Sequence, residues 1–358
     1  MDVVVLVGGK GTRLRPLTYD TPKQMLPVVD RPLVTHVVSW LARNGLDRAI
    51  LSLGYRPDAF IGAFPSGSID GVRLVYAVEP EPLGTAGAVR FAAEKGDVDG
   101  RFLVLNGDVL TDLDLTSLVK FHIEHEAEAS IHLTPVADPS AFGVVPTDAD
   151  GRVTAFLEKP PPGTAPTNLI NGGTYVLEPS VLERIPAGRP VSIERETFPA
   201  LIAGERLYAM ASDDYWLDTG TPVQYLQAQF DILRGLRTPA SRPLADEVTS
   251  GSFEAPGASV LGRRSGFGYF GPGAFVAESA VVTDSVIGAG CRIGERSEVT
   301  RSALLPGVVV GDGCRIIDSI VGSGTAVGAG ASLEELTVCR GGLQVPAQAA
   351  LSGEQYPQ

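Results

Sequence analysis

Val3-Val4-Val5-Leu6-Val7-Gly8-Gly9-Lys10-Gly11-Thr12-Arg13-Leu14-Arg15-Pro16-Leu17-Thr18, with Pro22-Lys23 close behind, joins a β-branched apolar run to a loop dense in glycines and cations. The run lacks apolar/polar alternation, so it is expected to be a strand of a parallel sheet buried on both faces. Gly8, Gly9 and Gly11 permit positive φ and a close backbone approach to a ligand. Successive N–H groups in such a loop can form an anion-binding nest. Arg13 offers a planar fork to phosphate oxygens, while Lys10 and Lys23 offer point charges. Two other phosphate loops are excluded. Lys10 is followed by Gly11, not by the Ser or Thr of a Walker A loop, and Leu14 stands where a dinucleotide fingerprint needs its last glycine. A tight strand-to-helix turn with surface cations explains the glycines less well, because the cations sit among them.

The stretch resembles the signature of the sugar-nucleotide pyrophosphorylases, which join a nucleoside triphosphate to a sugar-1-phosphate. It is most similar to the mannose-1-phosphate guanylyltransferase branch, with a guanylyltransferase for valienol-1-phosphate as a near neighbour. The resemblance implies an α/β fold: a Rossmann-like, mostly parallel sheet followed by a C-terminal left-handed parallel β-helix of hexapeptide repeats. It also implies that Leu6, Gly8, Gly9, Gly11, Thr12 and Arg13 contact the nucleotide.

The chain has 358 residues, enough for two domains with a large core. Its net charge of −13 argues against nucleic acid or an anionic membrane as partner. An acidic protein that binds a triphosphate must also concentrate its cations locally. Met1-Asp2 brings no basic leader region, and no apolar run approaches the roughly 18 residues of a membrane span. Cys291, Cys314 and Cys339 are odd in number and widely spaced, which fits small core residues in a reducing cytoplasm.

Along the chain, Arg31-Pro32 is expected to open a helix with Leu33, Val34, Val37, Val38 and Leu41 as its apolar stripe. Strands over 49–53 and 72–78 then complete a βαβ unit, whose ligands bind beyond the carboxyl ends of the strands. Gly84-Thr85 precedes an alanine-rich helix to about Lys95; small residues there permit contact with a flat base or merely close helix packing. The resemblance gives Gly84 and Thr85 the nucleobase. Asn106-Gly107-Asp108 ends a buried strand, where an acid can hold Mg²⁺ with substrate phosphates or simply form a turn. His122 and His125 lie on an amphipathic helix over 115–126, and neighbouring charges point to a solvated face.

Further on, the resemblance gives Gly143 and Glu158 to the sugar, Lys159 to its phosphate, and Asn171 to the sugar-binding strand, where Gly172 replaces the family's usual Ala. Asp108 and Asp218 become the metal carboxylates; Asp218 can also cap a helix starting at Pro222. Pro190 to Pro199 is similar to a guanylyltransferase segment. The helix from Val223 to about Gly235 closes the first domain, giving boundaries of 1–236 for the catalytic domain, 237–256 for a linker and 257–358 for the repeat. There, Phe275, Val281, Ile287, Ile293, Val299 and Leu305 recur every sixth residue, and Val310, Ile316, Val321, Val327 and Leu333 continue after slips of one. Such coils expose edges, so a homo-oligomer is expected. All four histidines precede residue 133, which argues against a second, acyl-transferring site.

The implied reaction is attack of a sugar-1-phosphate oxygen on the α-phosphorus of the triphosphate, with Arg13, Lys23, Asp108 and Asp218 as catalytic residues and Mg²⁺ as cofactor. Gly9-Lys10-Gly11 and 190–199 lean to GTP, whereas Lys23-Gln24 and Asp218-Thr219-Gly220 lean to thymidylyl transfer; GTP is the expected donor. Mannose-1-phosphate and a cyclitol phosphate both remain open as acceptor. A glucose-1-phosphate thymidylyl- or adenylyltransferase, and a non-catalytic sugar-nucleotide-binding subunit, are the rival readings. The binder fits less well, since Arg13, Lys23, Asp108 and Asp218 are all kept.

Overall fold

The computed structural model describes residues 1–238 and 241–357, so residues 239 and 240 of the expected linker lie outside the described residues. The chain forms two compact units: Met1–Gly9 with Val34–Trp216, and Lys10–Leu33 with Leu217–Gln358.

The first unit is built on strands β1 (Val3–Leu6), β2 (Arg48–Leu53), β3 (Val72–Val78), β4 (Phe102–Asn106), β5 (Ala129–Pro135), β6 (Gly143–Val144), β7 (Leu157–Glu158), β8 (Leu169–Leu177) and β9 (Leu207–Ala211). Their order is β7-β6-β8-β4-β1-β2-β3, with β5 beside β8 and β9 beside β5. β1 runs parallel to both β2 and β4, and β2 runs parallel to β3. β8 is antiparallel to β4, so the sheet is mixed on that side. Val3, Val4 and Val5 are wholly buried, which explains why the first strand shows no alternation. Phe102, Val104, Ile131, Tyr175 and Phe198 knit the core.

Helix α1 (Leu33–Arg43) buries the expected stripe of Leu33, Val34, Val37, Val38 and Leu41. It opens two residues later than expected, because Arg31-Pro32 forms a short antiparallel ladder with Pro27-Val28. α2 (Gly84–Lys95) and α3 (Leu115–Glu124) follow the sequence pattern, and Asp114 caps α3 by accepting from Thr116 N at 2.9 Å. The solvated face expected for His122 is corrected. The ring is buried, 2.9 Å from Ser130 Oγ and 3.1 Å from Glu178 Oε1. Burial depresses its pKa below the ordinary histidine range.

In the second unit, α4 (Pro222–Leu233) is capped by Thr221, whose hydroxyl accepts from Gln224 N at 3.3 Å while Gln224 Oε1 accepts from Thr221 N at 3.1 Å. That reciprocal box fills the cap role considered for Asp218. The repeat is an all-parallel array of short strands with the architecture of the expected left-handed β-helix. Arg292 stands beside Val309 and Val309 beside Ala326, one coil per 17 residues; Ala326 then pairs with Gln344, 18 residues on.

A coil of 17 has one side a residue short, so a strict count of six runs out of frame. The inward column is therefore Val276, Val282, Ile287, Ile293, Val299 and Leu304. Phe275, Val281 and Leu305, expected on that column, are displaced from it by one residue. Cys291, Cys314 and Cys339 are free thiols buried in the same interior. Burial raises Cys291 to about 11 and Cys339 to about 12. At one corner Ser302 N donates to Ser285 Oγ (3.1 Å) and Ser319 N to Ser302 Oγ (3.0 Å), so backbone groups there are satisfied coil to coil.

One ladder departs from the pattern of an exposed outer face. Val286, Ala303, Ile320 and Val338 precede the inward residues, yet all four are buried. α4 packs against the strands Arg263–Phe270 and Val281–Ile287, with the Phe230 and Phe267 rings 5.2 Å apart. Among the described residues no helix is long and apolar enough to cross a membrane.

Candidate active site

In the first unit, β1 ends at half-buried Leu6, whose carbonyl accepts from Gly107 N at 2.9 Å. A Cβ on Gly107 would lie 2.5 Å from Val7 Cγ1, so only glycine lets the Asn106-Gly107-Asp108 turn close on the end of β1. That contact sets Asp108 next to the strand end from which Gly8 and Gly9 continue. The glycines do different work from that expected, since φ is positive at Gly11 and not at Gly8 or Gly9. Gly8 is tight against Gly54, and a Cβ on Gly9 would meet nothing within 4 Å.

Gly84 opens α2 at φ +72°, and a Cβ there would lie 2.6 Å from Val191 O. The Thr85 hydroxyl donates to Glu194 Oε2 at 2.8 Å and accepts from Ile193 N at 2.8 Å. Gly84 and Thr85 therefore staple α2 to the 190–199 segment. Ser192 Oγ donates to the same Glu194 oxygen at 2.6 Å.

Gly143 pairs with Glu158 across β6 and β7, and a Cβ on it would lie 2.7 Å from the Phe156 ring. Lys159 is mostly exposed, with Nζ 3.5 Å from Glu158 Oε1. Asn171 is fixed on both sides: its Oδ1 accepts from Gly173 N (3.0 Å) and its Nδ2 donates to Tyr175 Oη (2.8 Å). Tyr175 draws the set together. Its hydroxyl is pushed far above the usual range, first by burial and then by the negative fields of Glu194, Glu158 and Asp108. Three carboxylates from separate elements thus act on one phenol. Sequence reasoning gave no role to Tyr175 or Glu194. The available signal was the Gly172-Gly173 pair inside a strand pattern, which marks a bulge. The register of β8 against β5 does shift between Asn171 and Tyr175.

Gly172, the departure from the family's Ala, has a steric cause. A Cβ there would lie 2.4 Å from His132 Nδ1 and 2.9 Å from His132 O. His132 is wholly buried, its Nε2 is 2.9 Å from Ser212 Oγ, and burial lowers its pKa to about 4. The carbonyl of Gly172 accepts from Trp216 Nε1 at 2.8 Å, and the Trp216 ring meets Phe142 edge-on at 5.8 Å.

In the second unit, Gly11 turns at φ +59° into a 3-10 turn over Thr12–Leu14, and Thr18 Oγ1 closes it by donating to Gly11 O at 2.8 Å. Leu14 is buried and Arg13 stays 64% exposed at its side chain, which leaves the guanidinium able to meet a ligand. Lys23 is the reverse: its side chain is only 5% exposed, with Nζ 3.5 Å from Asp218 Oδ1. Arg13 Nη2 is 3.6 Å from Asp218 Oδ2. A Cβ on Gly220 would lie 2.5 Å from Arg13 Nη2, so Asp218-Thr219-Gly220 needs its glycine to admit the pair. Two cations and one acid, far apart in sequence, are therefore brought together. A buried lysine next to a mostly buried acid is not the pattern of surface cations around a turn.

Among the described residues no three His, Cys, Asp or Glu side chains form a metal cluster. Asp108 falls in the first unit and Asp218 in the second. Hard carboxylate oxygens suit a hard divalent ion that takes most of its other ligands from water and phosphate.

These features define an α/β protein whose first unit is a mixed, mostly parallel sheet and whose second unit carries an all-parallel repeat. The nucleotidyl transferase family model matches residues 2–235, and the chain belongs to that family. The GMPPB C-terminal domain model matches residues 266–355. The chain is 44% identical over 304 residues to a mannose-1-phosphate guanylyltransferase of Mycobacterium tuberculosis, covering 82% of this chain and 83% of that one. It is 41% identical over 253 residues to a probable mannose-1-phosphate guanylyltransferase 2 of Arabidopsis thaliana, 68% of each. A crystal structure of HddC from Yersinia pseudotuberculosis complexed with GMP-PN aligns with TM-score 0.55 at 30% identity, over 64% of this chain and 97% of that one.

Proposed function

We propose that this chain transfers a guanylyl group from GTP to mannose-1-phosphate, releasing pyrophosphate and forming the GDP-linked sugar. The reading is carried by the Arg13–Asp218–Lys23 constellation, in which a buried ammonium and an accessible guanidinium share one acid. The names of the relatives support the guanine base and the mannose acceptor. A phosphate monoester oxygen is itself nucleophilic, so the protein needs no covalent nucleophile. Its work is in-line positioning and charge neutralisation. Leu6, Gly8, Gly9, Gly11 and Thr12 line the nucleotide, and Gly84 and Thr85 the base. Arg13 holds the β and γ phosphates and stabilises the departing pyrophosphate. Lys23 and Lys159 screen the repulsion between the two anionic reactants. Gly143, Glu158 and Asn171 hold the sugar.

Asp108 and Asp218 are each assigned as a carboxylate ligand of Mg²⁺. When bound, the ion withdraws charge from the phosphate oxygens and orients them. The functional bounds are 1–236 for transfer, 237–256 for the linker and 257–358 for the repeat. The family-model matches over 2–235 and 266–355 support them. The protein acts in the cytoplasm as a homo-oligomer, a reading supported by its three reduced thiols and by the parallel ladders of the repeat. Light scattering on the purified protein tests the assembly, and a monomeric mass rejects it.

The deciding assay measures pyrophosphate release with each of four nucleoside triphosphates against mannose-, glucose- and valienol-1-phosphate. Turnover is expected with GTP and mannose-1-phosphate. Preference for dTTP or ATP with glucose-1-phosphate would overturn the base and acceptor. Release with no pair, alongside tight GDP-sugar binding, would identify a binding subunit.

A further inference from the structure

Segment 19–31, which carries Lys23, is fastened at both ends to residues beyond 220 within the second unit. At one end, Asp20 Oδ2 accepts from Arg340 Nε at 3.0 Å. The Tyr19 ring lies under two guanidinium groups, Arg15 at 5.1 Å and Arg340 at 5.5 Å from its centroid. Arg340 directly follows the repeat strand Val338-Cys339, whose Val338 belongs to the buried outward ladder. At the other end, Pro27 O accepts from Tyr225 Oη and from Gln229 Nε2, the latter at 3.2 Å, both on α4. Arg31 donates to Arg242 O at 2.8 Å, and Leu244 N donates to Asp30 Oδ2 at 2.8 Å. Between the two fastenings sit Lys23 and Gln24, both buried.

In the second fastening the Tyr225 and Gln229 contacts are made by buried side chains and belong to the packing of α4, while the Arg31 and Leu244 contacts lie at the surface. The first is half exposed, 39% at Arg340 and 60% at Asp20, and spans 320 positions of sequence. It adds little to global stability, so its geometry calls for another explanation. We infer that Arg340, in the repeat, is a positioning residue for the phosphate loop: through Asp20 and Tyr19 it holds segment 10–33 in the conformation that presents Arg13 and Lys23. This rests on the roles proposed above for those two cations.

The test uses the full-length protein in two readouts. Hydrogen exchange of peptides covering 10–33 needs no substrate. Steady-state kinetics with GTP and mannose-1-phosphate follow. An exposed ion pair and a cation–π contact together bias the loop by about 5-fold. Arg340→Ala should speed exchange of 10–33 by about that factor, leaving peptides over 84–95 unchanged. It should lower kcat/KM for GTP by a similar factor without moving KM for the sugar phosphate. Arg340→Lys should recover part of the loss, and the exchanged pair Asp20→Arg with Arg340→Asp should recover more than either single reversal. Unchanged exchange in folded Arg340→Ala would overturn the inference, as would a loss spread evenly over all peptides. If the wild-type protein turns over no substrate pair, the proposed reaction fails and exchange alone decides the positioning role.

Discussion

Gly172→Ala tests the packing behind the sugar strand. The added methyl would sit 2.4 Å from His132 Nδ1 and 2.9 Å from His132 O. The first contact is about 1 Å inside normal separation, and the second involves backbone that cannot swing away. The imidazole is fully buried and engaged with Ser212, so it has no open rotamer to take. Overpacking of this kind costs about 1–3 kcal/mol. For a unit of this size, a loss of about 2 kcal/mol lowers the unfolding midpoint by about 4–8 °C. The assay is a double-mutant cycle by thermal and urea unfolding. His132→Ala is itself destabilising, but adding Gly172→Ala to it should cost less than in the wild type, because the clash with the ring is gone and only the contact with His132 O remains. The same step should also raise KM for the sugar phosphate, since Gly172 adjoins Asn171 and its carbonyl fixes Trp216. A Gly172→Ala protein with an unchanged midpoint, or an equal cost in both backgrounds, would show that the His132 ring is not what selects glycine.

Asp108→Ala should cut turnover by about 100-fold or more with the fold intact by circular dichroism; near-normal activity in Mg²⁺ would remove Asp108 from the metal. Arg13→Ala should lower kcat far more than it raises KM for the sugar phosphate, and an unaltered kcat would reject its leaving-group role. His132 is held neutral, its pKa brought down by burial to about 4. The unfolded chain, near 6.5, therefore binds the extra proton first as pH falls, and the stability present above 6.5 is lost progressively toward 4. Urea midpoints across that window should fall less steeply in His132→Gln than in wild type, and parallel slopes would reject the assignment.

Much of the fold was legible because its signals are local. Val3 to Val5 announce a doubly buried strand, and the stripe of α1 and the six-residue repeat are periodic. What stayed illegible depends on partners distant in sequence. His122 looked solvated because the charges beside it on α3 are exposed, yet its own position faces Ser130 and Glu178. The frame of the repeat at Phe275, Val281 and Leu305 is not legible in the sequence, because a short corner carries no composition mark. At the site, Arg13, Lys23 and Asp218 were each legible by motif, but their convergence on one acid was not. Tyr175 and Glu194 lie inside motif segments, but nothing in those segments marks either one for a role. Their importance lies in a hydrogen bond to Asn171 and in fields felt through a buried phenol, neither of which is written in spacing.

The three thiols offer a practical consequence. Every sulfur in a cysteine of this chain lies inside the coils between residues 291 and 339, and none is elsewhere. A colourless disulfide reagent that turns yellow on reaction would therefore act as a clock for one half of the molecule. It would stay silent while the nucleotide end breathes, and release colour only when the coils come apart.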